Sequence, residues 1–230
     1  MALFNPIVAV TNVTKRYRSS GGEVLALKNI ELNIPSNSKI AIMGPSGSGK
    51  STLLQIIGAL DRPSEGTVRV AGQEITSLND DALAMYRNKT IGFIFQTFNL
   101  QSDLNSLENV ALPLVLGGML PLKAQVVAAG FLDHVGLSEK AGRYPSQLSG
   151  GEMQRIAIAR ALVSEPAIIL ADEPTANLDK ENAENVLTLM SGLKLNNQAL
   201  IVVTHDDRVA SRFDYTIQLS HGEVIETKER

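Results

Sequence analysis

Short runs of apolar, β-branched residues alternate along the chain with segments whose apolar positions recur at helical spacing. Residues 7–13 are rich in β-branched side chains and predict a strand. Val24, Ala26, Ile30, Leu32 and Ile34 alternate imperfectly and predict a second strand over residues 24–34. Residues 39–43 form an apolar run that stops at Gly44, as a buried parallel strand does, and a helix is expected from Lys50 to about Leu60. Residues 67–70 and 91–95 predict further strands. Over residues 103–164 the spacing turns helical, punctuated at Pro113, Pro121, Gly136 and Pro145. Beyond them, residues 167–171 read as a buried strand, 181–194 as a helix, 200–203 as a strand and 207–212 as a short helix. Residues 215–219 and 223–225 flank Ser220, His221 and Gly222, a hairpin turn. Strands that alternate with helices predict an α/β fold around a mostly parallel sheet, into which the helical middle is inserted.

Composition narrows this without redirecting it. The 230 residues are 44% hydrophobic and 20% charged, ordinary globular values. A net charge of −3 gives no global attraction to nucleic acid or to an anionic membrane. Cysteine is absent, which excludes disulfides, thiolate metal sites and a cysteine nucleophile. The start of the chain, through Pro6, has no basic segment followed by an apolar run, so no signal peptide is expected. The most apolar long stretch, residues 110–122, is too short to span a bilayer and carries Pro113, Gly117, Gly118 and Pro121. A chain soluble on its own is the expectation, with any membrane role supplied by another subunit.

The candidate chemistry starts at Gly44-Pro45-Ser46-Gly47-Ser48-Gly49-Lys50-Ser51, a full G-x-x-x-x-G-K-[ST] phosphate loop between a strand and a helix. Glycines let successive N–H groups turn inward around phosphate oxygens, and the helix that follows offers its positive end. Lys50 is expected to reach the β- and γ-phosphates of ATP, Ser51 to ligate Mg²⁺, and Thr52 to donate to the α-phosphate. The strand over residues 167–171 runs into Asp172 and Glu173. Asp172 is the expected Mg²⁺ carboxylate. Glu173, facing the other way by strand alternation, is the candidate to take the proton of the attacking water.

Leu148-Ser149-Gly150-Gly151-Glu152, followed by Gln154-Arg155 and Ala157 to Leu162, resembles the signature of ATP-binding-cassette (ABC) ATPases. The same residues read as an N-capped helix, with Ser149 and Glu152 as a capping box. Both readings hold together, since a capped helix start is also an anion site. Within the family, Met43 to Leu54, Leu60-Asp61-Arg62-Pro63, Gln96-Thr97-Phe98-Asn99-Leu100 and Ala171-Asp172-Glu173-Pro174-Thr175 are similar to the lipoprotein-releasing, macrolide-export and cell-division subgroup. Glu152 replaces the commoner Gln, and Ala176 stands where the subgroup often has Gly.

The resemblance implies a P-loop NTPase (RecA-like) core with a mostly parallel sheet. It adds an N-terminal antiparallel β subdomain and an α-helical signature subdomain inserted at about residues 100–162, within one ATPase domain over residues 7–226. By the same resemblance Tyr17 stacks on adenine, although a half-buried strand tyrosine is the plain alternative. Gln96 touches Mg²⁺ and the attacking water, Asn177-Leu178-Asp179 form a loop that faces the other copy, and His205 contacts the γ-phosphate. Ser149, Gly150, Gly151 and Glu152 close on the ATP of a second copy, so the implied enzyme is a head-to-tail homodimer with ATP as substrate and Mg²⁺ as cofactor. It drives separate integral membrane permease subunits from the cytoplasmic face of the cell membrane, as an exporter or a lipid or lipoprotein extractor. The apolar stretch of residues 96–122 is either their docking surface or the core of the helical subdomain. The alternative role is signalling through a membrane partner to cell-wall hydrolases. A soluble DNA-repair or translation ATPase fits less well, since the chain lacks a long coiled-coil insertion or a second cassette, and no nucleic-acid partner is expected. A simple phosphotransferase would leave the signature without a task.

Overall fold

In chain order the first elements are β1 (Val8–Ser19), β2 (Gly22–Ile34), β3 (Ser38–Met43), α1 (Lys50–Ile57), β4 (Glu65–Val70), β5 (Gln73–Glu74), α2 (Asp80–Thr90) and β6 (Ile91–Ile94). They are followed by α3 (Ser106–Leu116), α4 (Pro121–His134), α5 (Gly150–Leu162), β7 (Ile168–Asp172), α6 (Lys180–Ser191), β8 (Ala199–Val203), α7 (Asp207–Ala210), β9 (Tyr215–Ser220) and β10 (Glu223–Glu229). The structure, a computed structural model, describes residues 6–19 and 22–229, so most of the segment read for a signal peptide lies outside the described residues. The chain forms two compact units. One runs to Ala84 and resumes at Leu195; the other is Met85–Lys194.

The first unit holds the antiparallel subdomain expected at the N-terminus: β1 pairs with both β2 and β4, and β4 with β5. It also holds β3, flanked by β8 and β9 in parallel, with β10 antiparallel to β9. All five residues of β8 are buried, as an Ile/Val-rich strand covered on both faces must be. Ser220 pairs with Glu223, leaving His221 (φ 48°) and Gly222 (φ 78°) as the two-residue turn of the expected hairpin.

Helix α1 stops at Ile57, earlier than about Leu60. Ala59 adopts φ 56° and Leu60 N–H turns back to the Gln55 carbonyl at 2.8 Å, which closes the helix end. Helix α2 escapes the sequence pattern because Leu83 is its one buried residue, so it has no apolar stripe. Its first turn is set by Asn79, whose side chain accepts from Ala82 N–H at 2.9 Å.

In the second unit β6 and β7 pair in parallel. Helices α3, α4 and α5 enclose a core of Val110, Ala111, Ala124, Ala128, Leu132 and Ile156 with their neighbours. Pro113, read from sequence as punctuation, lies inside α3. It deletes one N–H only, and its carbonyl is held by Gly117 N–H at 3.0 Å and Asn88 Nδ2 at 3.1 Å, so the helix runs one further turn. Among the described residues no helix is long and apolar enough to cross a membrane.

Candidate active site

The phosphate loop is preshaped in the first unit. At Gly44 φ is 152°, and a Cβ there would stand 2.1 Å from the Leu219 carbonyl oxygen, so no other residue fits. Ser48 N–H donates to the Pro45 carbonyl at 3.2 Å, tightening the turn before α1. Lys50 is buried and folds back over its own loop, Nζ donating to the carbonyls of Gly44 (2.9 Å) and Pro45 (3.0 Å). Pro45, Ser46 and Gly47 are exposed, whereas the Ser48 hydroxyl is buried with no hydrogen-bond partner. A buried unpaired hydroxyl is uncommon, and it fits a loop whose polar groups serve a bound phosphate. Ser51 is exposed on the first turn of α1, where backbone N–H groups carry partial positive charge.

Strand register sets His205. Ile42 of β3 pairs with Val203 of β8, and Thr204 N–H donates to the Ile42 carbonyl at 3.1 Å. One residue further, His205 is therefore level with Gly44 at the carboxyl edge of the two strands, the edge where α/β sheets bind ligands.

Tyr17 lies on β1 in the same unit. Its hydroxyl donates to Asp61 Oδ2 at 2.8 Å, and Lys15 Nζ stands 4.7 Å from the ring centroid. Lys15 also donates to Asp61 Oδ1 and to the Arg62 carbonyl, both at 2.7 Å. Partial burial, then the Asp61 bond, push the phenol above its ordinary value, and a hydrogen bond with Thr52 opposes them. The Asp61 carboxyl is pulled upward by burial but held below its usual range by Lys15, Tyr17 and the Arg62 N–H. Tyr17 is thus neither loose nor a core residue: 38% exposed, it is braced on one face by an ammonium and linked to Thr52 behind the loop. Lys15, which helps hold it, was not singled out from the sequence, and Asp61 was quoted only within a stretch similar to the subgroup; Lys15 two residues before Tyr17 on the same strand face was the available signal.

In the second unit the register of β6 and β7, with Ile94 opposite Ala171, brings Gln96 and the Asp172–Glu173 pair to one carboxyl edge. Asn177 Nδ2 donates to the Gln96 carbonyl at 3.0 Å and ties the two loops together. Asp172 ends β7, but strand alternation does not extend to Glu173. That residue has left the strand with φ 45°, and its carbonyl accepts from Ala176 N–H at 3.2 Å. Arg160, given no role in the sequence reading, donates to the carbonyls of Phe98 (2.7 Å) and Asn99 (2.5 Å), two residues beside Gln96 that also have positive φ.

Ser149 caps α5. Its side chain accepts from Glu152 N–H at 3.3 Å, and Glu152 Oε2 accepts from Ser149 N–H at 2.8 Å, so the capping box is formed. The Ser149 N–H bond is the main cause of a Glu152 carboxyl below its ordinary value, with Lys140 adding at 3.2 Å. The glycines that follow are not equivalent. A Cβ at Gly151 would lie 2.0 Å from Asn182 Oδ1 on α6, so packing within the chain already requires glycine there. At Gly150 the nearest atom would be Leu178 Cδ2 at 3.4 Å, an ordinary contact. Only Gly150 is left for a demand from outside the chain to explain.

Among the described residues no cluster of three His, Cys, Asp or Glu could hold an ion unaided. Ser51 in the first unit offers a hydroxyl and Asp172 in the second a carboxylate, each a hard oxygen donor of the kind Mg²⁺ takes.

Residues 27–176 match the family described as ABC transporter. The lipoprotein-releasing system ATP-binding protein LolD of Chromohalobacter salexigens is 43% identical over 93% of this chain and 91% of its own length. The macrolide export ATP-binding/permease protein MacB of Hyphomonas neptunium is 42% identical over 96% of this chain, which spans only 34% of that longer protein. Among solved structures, the dimeric ATP-binding cassette MJ0796 in a post-hydrolysis state bound to ADP and Pi superposes with a TM-score of 0.89. It is 44% identical and covers 96% of this chain and 98% of its own. With its phosphate loop, its Asp172–Glu173 strand end and its capped signature helix, this chain belongs to the ABC transporter family, as an ATP-binding domain.

Proposed function

We propose that the chain is the ATP-hydrolysing subunit of a membrane complex and acts as a head-to-tail dimer, with residues 7–226 as one ATPase domain and the helical subdomain at about 100–162. The observation that carries this reading is the preshaped phosphate loop, with Lys50 folded over the Gly44 and Pro45 carbonyls and Ser48 Oγ unpaired beneath it. On ATP binding Lys50 exchanges those carbonyls for β- and γ-phosphate oxygens, and the adenine lies on the face of Tyr17 away from Lys15. The loop Gly44, Pro45, Ser46, Gly47, Ser48 and Gly49 wraps the remaining phosphate oxygens, to which its N–H groups, absent only at Pro45, and Thr52 donate. Ser51, Asp172 and Gln96 are the residues that would hold Mg²⁺, which would supply neutralisation of phosphate charge. Glu173 orients the water and accepts its proton as the oxygen attacks the γ-phosphorus and the bond to the β-phosphate oxygen breaks. His205 donates to the γ-phosphate as charge builds there. Catalysis of this kind is mostly positioning and charge stabilisation.

Ser149, Gly150, Gly151 and Glu152 of a second copy complete the nucleotide site. ATP adds contacts that close the dimer; loss of phosphate removes them, and that difference in binding does work on the partner. Support for the membrane partner comes from the lipoprotein-releasing and macrolide-export relatives. In the stretch of residues 96–122, Val110 and Ala111 enter the core, whereas Leu116 (72% exposed), Leu120 (65%) and Leu122 (79%) stay at the surface with Val126. That surface suits an apolar element of permease subunits, which would hold the chain at the cytoplasmic face of the membrane and carry cargo as an exporter or lipoprotein extractor.

Glu173→Gln tests this. It keeps the side-chain shape and removes the base, so turnover is expected to fall by about 10²-fold or more. An ATP-dependent dimer is expected to accumulate on size exclusion. Wild-type turnover, with dimerisation indifferent to ATP, would reject the assignment.

A further inference from the structure

Gln154 is out of character on α5. It is flanked by the buried Gly151, Ile156, Ala157 and Ile158 and is itself fully shielded from solvent. Its Nε2 donates to the Pro174 carbonyl at 2.8 Å, while its Oε1 is buried with no hydrogen-bond partner. An unpaired buried acceptor destabilises a fold, and methionine fills such a space without one. Stability therefore gives glutamine no advantage here, and the bond to Pro174 is what remains to account for it.

That bond falls beside the hydrolytic carboxylate. Pro174 directly follows Glu173, which is held at φ 45° in a turn closed by Ala176 N–H. The proline ring fixes φ of residue 174. The Gln154 bond sets the direction of its carbonyl, hence its ψ. Both soft dihedrals next to Glu173 are then determined, and the left-handed turn has one way to stand.

Resting on the assignment of Glu173 as the carboxylate that activates water, we propose that Gln154 is a positioning residue. Its amide, mounted on α5, fixes the backbone at Pro174 and so the placing of Glu173. Ser149 caps α5, so one rigid element carries both the chain's contribution to the second copy's ATP and the anchor of its own hydrolytic carboxylate.

Three variants measured together decide it: Gln154→Met, Gln154→Glu and Glu173→Gln. Methionine removes the unpaired Oε1 but leaves the Pro174 carbonyl without its donor, so one buried acceptor is unpaired before and after and urea denaturation is expected to stay near wild type. Its kcat is expected to fall by about tenfold to a hundredfold, as a misplaced group requires. KM for ATP and the affinity for a fluorescent ATP analogue are expected to stay within about twofold, because groups that only bind nucleotide are untouched. Glutamate at 154 keeps the shape. Its neutral acid donates to Pro174 and its carboxylate does not, and burial raises its pKa. The ratio of Gln154→Glu to wild-type kcat is therefore expected to climb as pH is lowered, whereas that of Gln154→Met stays flat. An unchanged kcat in folded Gln154→Met overturns the proposal, as does a loss of nucleotide affinity in step with kcat. If the methionine variant does not fold, a pH-independent ratio for Gln154→Glu overturns it instead. Wild-type turnover in Glu173→Gln removes the assignment beneath the proposal; lost turnover there beside a normal Gln154→Met removes the proposal alone.

Discussion

At the scale of single residues, the signature serine and its glutamate are a structural device before they are a binding one. Glu152 accepts from Ser149 N–H and pairs with Lys140, and these interactions hold its carboxyl below the ordinary value. A carboxyl lowered in the folded state contributes stability that is present above its unfolded value near 4.5 and is lost as pH falls through the lowered folded value. Glu152→Gln keeps an acceptor for Ser149 N–H but not the charge. At pH 7 the wild type is expected to be more stable by about 0.5 kcal/mol, the usual worth of a carboxylate at a helix start. Urea melts from pH 7 to pH 3 should show that gap closing in acid; a gap that holds constant would contradict it. The box itself was legible from Ser149 and Glu152 at their spacing, because a cap is a local interaction. The left-handed turn at Glu173 was not. Its φ depends on Pro174 and on bonds from Ala176 and Gln154, the last of them 19 residues away in sequence from Glu173.

At the scale of elements, α5 and α6 are fitted to each other through Gly151 and Asn182. Asn182 also donates from Nδ2 to Asp179 Oδ2 at 2.7 Å, where Asp179 caps α6, so it cannot rotate away without loosening that cap. Gly151→Ala, which would strengthen an exposed helix, is expected to destabilise this one by about 1–3 kcal/mol. In an Asn182→Gly background the penalty is expected to vanish. A double-mutant cycle in urea checks it, and additive effects would show that the two do not meet. The strands β3, β7 and β8 were legible because burial on both faces makes continuous apolar runs. Helix α2 was not, since Leu83 alone turns inward, nor was the persistence of α3 through Pro113, which depends on Asn88. Gln96 and His205 were named by resemblance; strand register puts each of them just beyond the carboxyl end of strands in its own unit.

At the scale of the whole molecule, Lys50 belongs to one compact unit and Ser149 to the other, and in the proposed head-to-tail dimer each chain offers them to different ATP molecules. That division has a genetic consequence. A Lys50→Met chain and a Ser149→Arg chain should each be inactive alone. In a mixed dimer both lesions fall on one nucleotide, while the other nucleotide meets an intact loop from one chain and an intact signature from its partner. Random pairing of two chains in a closed dimer makes half the dimers mixed, so about a quarter of wild-type ATPase activity is expected on co-expression. Two alleles each damaged in the loop should never rescue each other. Complementation between dead alleles, sorted by which half-site they strike, would map the dimer's geometry without any further structure.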